Sequence, residues 1–413
     1  MTERRVVVTG MGAVTPLGCC VDAFWDALVS GRSGVATITR FDPTGFPVRI
    51  AGECRTFDPS ATIDSKTLKR LDRFVQFALV SCREAVASSG FSADREDPYR
   101  VAAVFGTGIG GLNEIEEQHS RLLERGPTKV SPFTIPRLMV NAASGNISIE
   151  LGLKGESIAV SSACASATNA MGIARDLIRV GKADVVFTGG SEATVTPLAM
   201  AAFASMKAVS TRNDQPSAAS RPFDRDRDGF VLAEGAATFV FEELEHARRR
   251  AAPVLAEVAG FGSTSDAQHI TQPDENGEGA ATAMRQALAD ARVTAQDVDY
   301  INAHGTATPL GDIAETKAIK QVFGEHAHRL VISSTKSAVG HLLGASGAVE
   351  LVATIRTLQT ATVTPTLNLD HPDEGCDLDY CPHTARDRRV RVALSNSFGF
   401  GGHNACIIVR RWE

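Results

Sequence analysis

The chain has 413 residues, 43% hydrophobic and 22% charged, which is ordinary soluble globular composition, and that length suits two domains or one large α/β unit. A net charge of −6 excludes a general nucleic-acid binder, whose surface must neutralise phosphates, and no apolar run approaches a membrane span. The eight cysteines (19, 20, 54, 82, 164, 376, 381, 406) form no CxxC pair and no disulfide-like framework, and the N-terminus enters a strand pattern without an apolar leader, so a reducing cytoplasm is expected.

Arg5 to Thr9 reads as a strand. The glycines that follow, Gly10-Met11-Gly12, resemble a dinucleotide fingerprint only superficially, because position 15 is Thr and Pro16 interrupts, so a tight strand-to-helix turn is expected. Ala23 to Val29 is a short helix and 31–64 is loop-rich. Leu68 to Ser88 is a strong helix with Leu71, Phe74, Phe77, Ala78 and Val80 facing inward. Lys66, Lys69, Arg70 and Arg73 at its start form either a solvated face or a docking patch for an acidic partner. Arg100 to Phe105 is a buried-type strand. The glycine cluster 106–111 after it lacks the Lys-Ser/Thr of a P-loop and reads as a close-packed loop at an interface or pocket. Residues 126–140 are loop, with Pro127, Pro132 and Pro136, and 141–151 resume a helix.

Ser157 to Val160 is extended. Cys164 follows in a run of small residues, and then a helical pattern places Ala170, Met171, Ile173, Ala174, Leu177 and Ile178 on one apolar face. A cysteine at a helix N-terminus is expected to have a lowered thiol pKa; the alternative is an inert buried cysteine. Ala183 to Gly190, Thr238 to Phe241 and Pro253 to Gly262 are further strands, separated by a punctuated loop at 205–229 and a helical segment at 242–250.

From about residue 251 the pattern recurs. Tyr300 to Ala303 leads into His304. Leu330 to Ser334 leads into Lys336 and His341, which is expected to open a helix through Val349, Val352 and Ile355. Arg391 to Leu394 leads into a loop at 396–402, and Ala405 to Val409 is the last strand. Cys164 in the first half and His341 in the second each stand at a strand-to-helix junction. This is the pattern of a duplicated α/β fold, split at 1–250 and 251–413, with one site shared between the halves.

Cys164, His304, Lys336 and His341 suggest nucleophilic chemistry. Zinc binding would need chelate spacing such as HxxxH or CxxC, which is absent. A Cys/His hydrolase would leave the second histidine and Lys336 without a task.

Four motifs carry a family resemblance: Ser-Ala-Cys-Ala-Ser (162–166), His-Gly-Thr-Ala-Thr-Pro-Leu-Gly-Asp (304–312), Thr-Lys-Ser-Ala-Val-Gly-His (335–341) and Asn-Ser-Phe-Gly-Phe-Gly-Gly-His-Asn (396–404). In this order they resemble the elongating β-ketoacyl-acyl-carrier-protein synthases of the thiolase superfamily, in the type II, FabF-like branch. Arg221-Pro222-Phe223-Asp224 and Asp228-Gly229-Phe230-Val231 extend the likeness, which runs the length of the chain. Ser162 and His403 depart from it, standing where threonine is common.

The resemblance implies a thiolase-like fold, two pseudo-symmetric α/β halves in five layers, α-β-α-β-α. It implies a decarboxylative Claisen condensation of an acyl thioester, held on Cys164, with a malonyl-carrier thioester in fatty acid biosynthesis. The alternative is the catalytic ketosynthase subunit of a type II polyketide system, paired with a chain-length factor; a non-catalytic partner would lack Cys164, and a coenzyme A thiolase would use a second cysteine as base. Cys164 and Phe400 are implied as the oxyanion hole, His304 and His341 as stabilisers of the enolate, and Lys336 with Glu350 as a buried pair orienting the histidines. Thr306 and Thr308 are implied to hold the phosphopantetheine arm, and Ile109, Phe203 and Phe400 to line the acyl pocket. Lys66, Lys69, Arg70, Arg73, Lys129 and Lys207 are implied to dock the acidic carrier protein. No cofactor is required, since phosphopantetheine arrives on the carrier; a structural monovalent cation at Asn302, Glu350, Ser395 and Asn396 and a homodimer are family expectations.

Overall fold

The computed structural model describes residues 4–413. Ten strands form its large sheet: β1 (Val6–Val14), β2 (Val101–Gly106), β3 (Ser157–Val160), β4 (Val185–Glu192), β5 (Gly235–Glu243), β6 (Ala256–Ser265), β7 (Tyr300–Asn302), β8 (Val331–Ser333), β9 (Val392–Gly399) and β10 (His403–Arg411). Their spatial order is β8-β7-β9-β10-β6-β1-β5-β4-β2-β3. Ranked within each half, both sets of five run 3-2-4-5-1, with the first three parallel and the last two antiparallel. The halves meet at β1 and β6 through only two paired positions, Val7 with Glu257 and Val8 with Ala256.

Helices complete five layers. α1 (Arg73–Ser89) covers the outer face of the first half, and α3 (Glu278–Ala291) that of the second, while α2 (Ser166–Arg179) and α5 (Ser346–Thr360) fill the centre beside each other. A further helix, α4 (Gly311–Phe323), packs beside α3. Twelve of the fifteen residues of α5 are buried, as a helix sandwiched between two sheets requires. Alanines at 167, 170 and 174 of α2 and at 348 and 353 of α5 keep that layer thin and join the core between the halves. Phe74, Phe77, Ala78 and Ala85 of α1 and Ala283, Met284, Ala287 and Leu288 of α3 anchor the two outer cores.

The structure corrects several sequence expectations. Gly10 and Gly12 lie inside β1, not in a turn. A Cβ at Gly10 would stand 2.3 Å from the Ala85 carbonyl oxygen and one at Gly12 2.0 Å from that of Ser81, so the glycines admit α1 against the sheet. That helix begins at Arg73 because the Asp72 side chain accepts the Phe74 N–H, and it ends at left-handed Gly90. Val80 is half-buried, and Ile173 of α2 is exposed. His341 does not open a helix; α5 starts five residues later, at Ser346. β9 continues through Ser397 to Gly399, where a loop was expected. α3 and α4 had not been anticipated.

Candidate active site

Cys164 sits between β3 and α2, one residue before the helix cap Ala165. The chain turns there through Ala163 at φ +50°, a left-handed conformation that a small side chain tolerates better than a branched one. The Ser166 hydroxyl accepts the Ser162 N–H at 2.9 Å and closes the turn. The tip of β9 presses on this turn: a Cβ at Gly399 would lie 2.9 Å from the Cys164 nitrogen and 3.0 Å from the Ser162 carbonyl oxygen. Glycine therefore brings the Phe400 amide to Cys164.

The second half supplies the remaining groups. His341 Nε2 stands 3.0 Å from Cys164 Sγ. The His304 and His341 rings meet edge to face at 5.5 Å. Lys336 lies behind them, 1% exposed, bonded to Glu350 Oε1 and 3.3 Å from His304 Nδ1. An ammonium can only donate, so His304 Nδ1 accepts and the ring proton sits on Nε2. The Ser346 hydroxyl takes the Leu342 N–H at 2.9 Å and offers its own proton to His341 Nδ1 at 2.9 Å, which again leaves the ring proton on Nε2. Burial, reinforced by the Lys336 charge, holds both imidazoles well below their ordinary pKa. They are neutral hydrogen-bond donors aimed into one space.

The thiol does not follow the expectation drawn from its helix terminus. Burial pushes Cys164 up to about 12, offset only in part by Lys336 and the Phe400 amide. Burial thus favours the neutral thiol at Cys164, because packing removes more hydration than the helix end replaces.

A narrow cavity of about 100 Å³ gathers Cys164, His304, His341, Thr306, Thr308 and Phe400. The two threonine hydroxyls lie 3.1 Å apart. Lys336 and Glu350 stand behind this wall. Ile109 and Phe203 do not line it: Ile109 is 36% exposed, and Phe203 reaches the site through Phe230, whose ring packs edge-on against both Phe203 (5.4 Å) and His341 (5.2 Å). Among the basic candidates, Lys66, Lys69, Arg70, Lys129 and Lys207 are exposed. Arg73 is withdrawn from that set, since its guanidinium bonds Glu234 at 2.7 and 2.9 Å and covers the Phe77 ring at 4.6 Å.

The expected cation site meets a physical test. Asn302 Oδ1, Glu350 Oε2 and Ser395 Oγ are buried and have no hydrogen-bond partner, and Ser395 pairs with Asn302 across β9 and β7. Three orphaned oxygens suit a hard monovalent cation. The Asn396 side chain is already engaged by Glu315 and Cys406. Glu315 was missed by the sequence reading. It takes the His304 and Gly305 N–H groups at 2.8 Å and so fixes the histidine's backbone, but a glutamate inside an amphipathic helix gives no signal of such a partner.

A family model described as beta-ketoacyl synthase, N-terminal domain, matches residues 3–247, and one described as beta-ketoacyl synthase, C-terminal domain, matches 255–370. The chain is 49% identical over 411 residues to a protein of Coxiella burnetii named 3-oxoacyl-[acyl-carrier-protein] synthase 2, covering 100% of this chain and 99% of the relative. A β-ketoacyl synthase from Burkholderia phymatum superposes with a TM-score of 0.92 at 40% identity, covering 99% of this chain and 100% of its own. A type II polyketide ketosynthase, solved with its acyl-carrier protein, superposes at 0.93 with 34% identity, covering 100% of both chains. With the thiol, two imidazoles and ammonium assembled from both halves of this fold, the chain belongs to the β-ketoacyl synthase family.

Proposed function

We propose that this protein is an elongating 3-oxoacyl-[acyl-carrier-protein] synthase of fatty acid synthesis, with Cys164 as nucleophile. The observation that carries the reading is His341 Nε2 at 3.0 Å from Cys164 Sγ beside a second neutral imidazole. The Cys164 sulfur bonds the acyl carbonyl carbon, and the carrier thiol leaves with the thiol's proton. The malonyl-carrier thioester then enters alongside Thr306 and Thr308, whose hydroxyls hold its phosphopantetheine arm. As carbon dioxide leaves, the freed electron pair becomes an enolate whose oxygen accepts the Nε2 protons of His304 and His341; no strong base is needed. The carbanion attacks the acyl-Cys164 carbonyl, whose oxyanion takes the N–H groups of Cys164 and Phe400. That attack forms the new carbon–carbon bond, and collapse of the tetrahedral intermediate breaks the carbon–sulfur bond and expels the thiolate, which is reprotonated from solvent. Mixing acyl- and malonyl-carrier thioesters of graded chain length and identifying products by mass should yield β-ketoacyl chains two carbons longer; absence of any such product from the intact enzyme would refute the reading.

The fatty-acid reading is favoured over the polyketide one by 49% identity to the named 3-oxoacyl synthase against 34% to the polyketide ketosynthase. The partner is the acyl-carrier protein, met by Lys66, Lys69, Arg70, Lys129 and Lys207, whose charges act on encounter rate more than on affinity. Asn302, Glu350 and Ser395 would hold a monovalent cation, which when bound supplies positive charge to otherwise unpartnered oxygens. Replacing sodium and potassium by a bulky organic cation should lower the melting temperature; an unchanged value would argue against the site. The protein works in the cytoplasm as a homodimer. Supporting that, β3 is an open sheet edge, with Ile135 and Ile149 exposed in the preceding helices. Sedimentation should give a dimer, and an active monomer would contradict it.

A further inference from the structure

Glu192, the last residue of β4, is a charged group that the reaction above does not use. It is fully buried and has no salt-bridge partner among the described residues. Four donors converge on it from two loops. From the loop after β2 come the Gly108 N–H to Oε2 at 2.7 Å, the Ile109 N–H to Oε1 at 3.2 Å and the Thr107 hydroxyl to Oε1 at 3.1 Å. From the turn after His341 comes the Gly344 N–H to Oε2 at 3.0 Å. Only an acceptor on both oxygens satisfies all four; an amide of the same shape would turn N–H groups toward some of them.

Each loop leads to a different part of the chemistry. The first carries Ile109 and is tied to the nucleophile's own segment, for the Ser161 hydroxyl donates to the Gly108 carbonyl at 3.1 Å. The second runs directly from His341 and carries Leu343, which lines the cavity and packs in one apolar cluster with Cys164, Met200 and Phe230. A carboxylate buried without a cation is a costly way to join two loops that an apolar contact could join. Burial pushes Glu192 up to about 7 in spite of its four donors, which shows how strongly the surroundings disfavour the charge.

We infer that Glu192 is a positioning residue that couples the loop beside the Cys164 segment to the His341 turn, so that acylation of Cys164 and decarboxylation both depend on it although it touches neither substrate. This rests on the reading of Cys164 as the acyl-holding residue. A parent enzyme that forms no acyl-Cys164 would overturn that reading, whereas a competent parent with unaffected variants would overturn only the coupling.

The experiment compares the rate of Cys164 acylation by a hexanoyl-carrier thioester, read by intact-protein mass, with malonyl-carrier decarboxylation in the absence of an acyl donor. Glu192→Gln is expected to slow both about tenfold. Thr107→Val removes the hydroxyl donor on the acyl side alone. It should slow acylation about threefold and leave donor-free decarboxylation unchanged. A general loosening of the fold would not split the two readouts in this way. Both rates within about twofold of the parent in Glu192→Gln would overturn the coupling, as would a Thr107→Val enzyme slowed equally in both. If Glu192→Gln fails to fold by circular dichroism, Thr107→Val decides alone.

Discussion

Cys164→Ala is expected to lose β-ketoacyl product by more than about 10⁴-fold while still releasing carbon dioxide from the malonyl-carrier thioester. The two outcomes separate because the sulfur is needed only to hold the acyl chain. The groups proposed to stabilise the enolate are His304 and His341, both neutral and both carrying the ring proton on Nε2 through partners that the substitution leaves in place. Removing the sulfur takes away one contact of His341, at 3.0 Å, without disturbing Ser346 behind it. Product mass and carbon dioxide release, measured on the same sample, check the split. Continued elongation by the variant would sink the assignment of the nucleophile.

His341→Ala should do the reverse. Loss of one donor to a developing oxyanion in a dry site costs about 10²–10³-fold, so decarboxylation should fall by that factor. Cys164 should still be acylated at a reduced rate, since its proton departs with the leaving carrier thiol. Donor-free carbon dioxide release measures the first, and the mass of acyl-Cys164 measures the second. Near-normal decarboxylation in a variant with the parent's melting curve would show that the Nε2 proton at this position is not used.

Much of this site was legible because its reactive residues follow strands and stand in short polar motifs beside glycine. Cys164, His304, Lys336 and His341 could be named that way, and the cavity and the pair behind it bring them together. What local pattern hid was set by distant packing. A helix terminus suggests a lowered thiol pKa, but the hydration of Cys164 depends on β9 and the His341 segment closing over it. Gly10 and Gly12 looked like a turn because the helix they admit begins some sixty residues later. Arg73 looked like a surface charge because its partner, Glu234, lies 161 positions away. Glu192 and Glu315 were invisible for a related reason: most of their partners are backbone N–H groups, which every residue but proline possesses and no sequence pattern advertises.

The repeated strand order also determines how such an enzyme can change over generations. The thiol and its apolar surroundings at 195–232 are encoded before residue 243, and the imidazoles, ammonium and their carboxylate partner after residue 256. A recombination event between those points would exchange the half that carries the thiol and leave intact the half that carries the imidazoles. Beyond the two backbone pairings at Val7 and Val8, the hybrid would have to match the Cys164–His341 contact, the Glu192–Gly344 bond and the Arg221–Asp370 ion pair, all of which cross between the halves. The two halves are thus inherited as a matched pair, and a lineage can change one only as far as the other answers it.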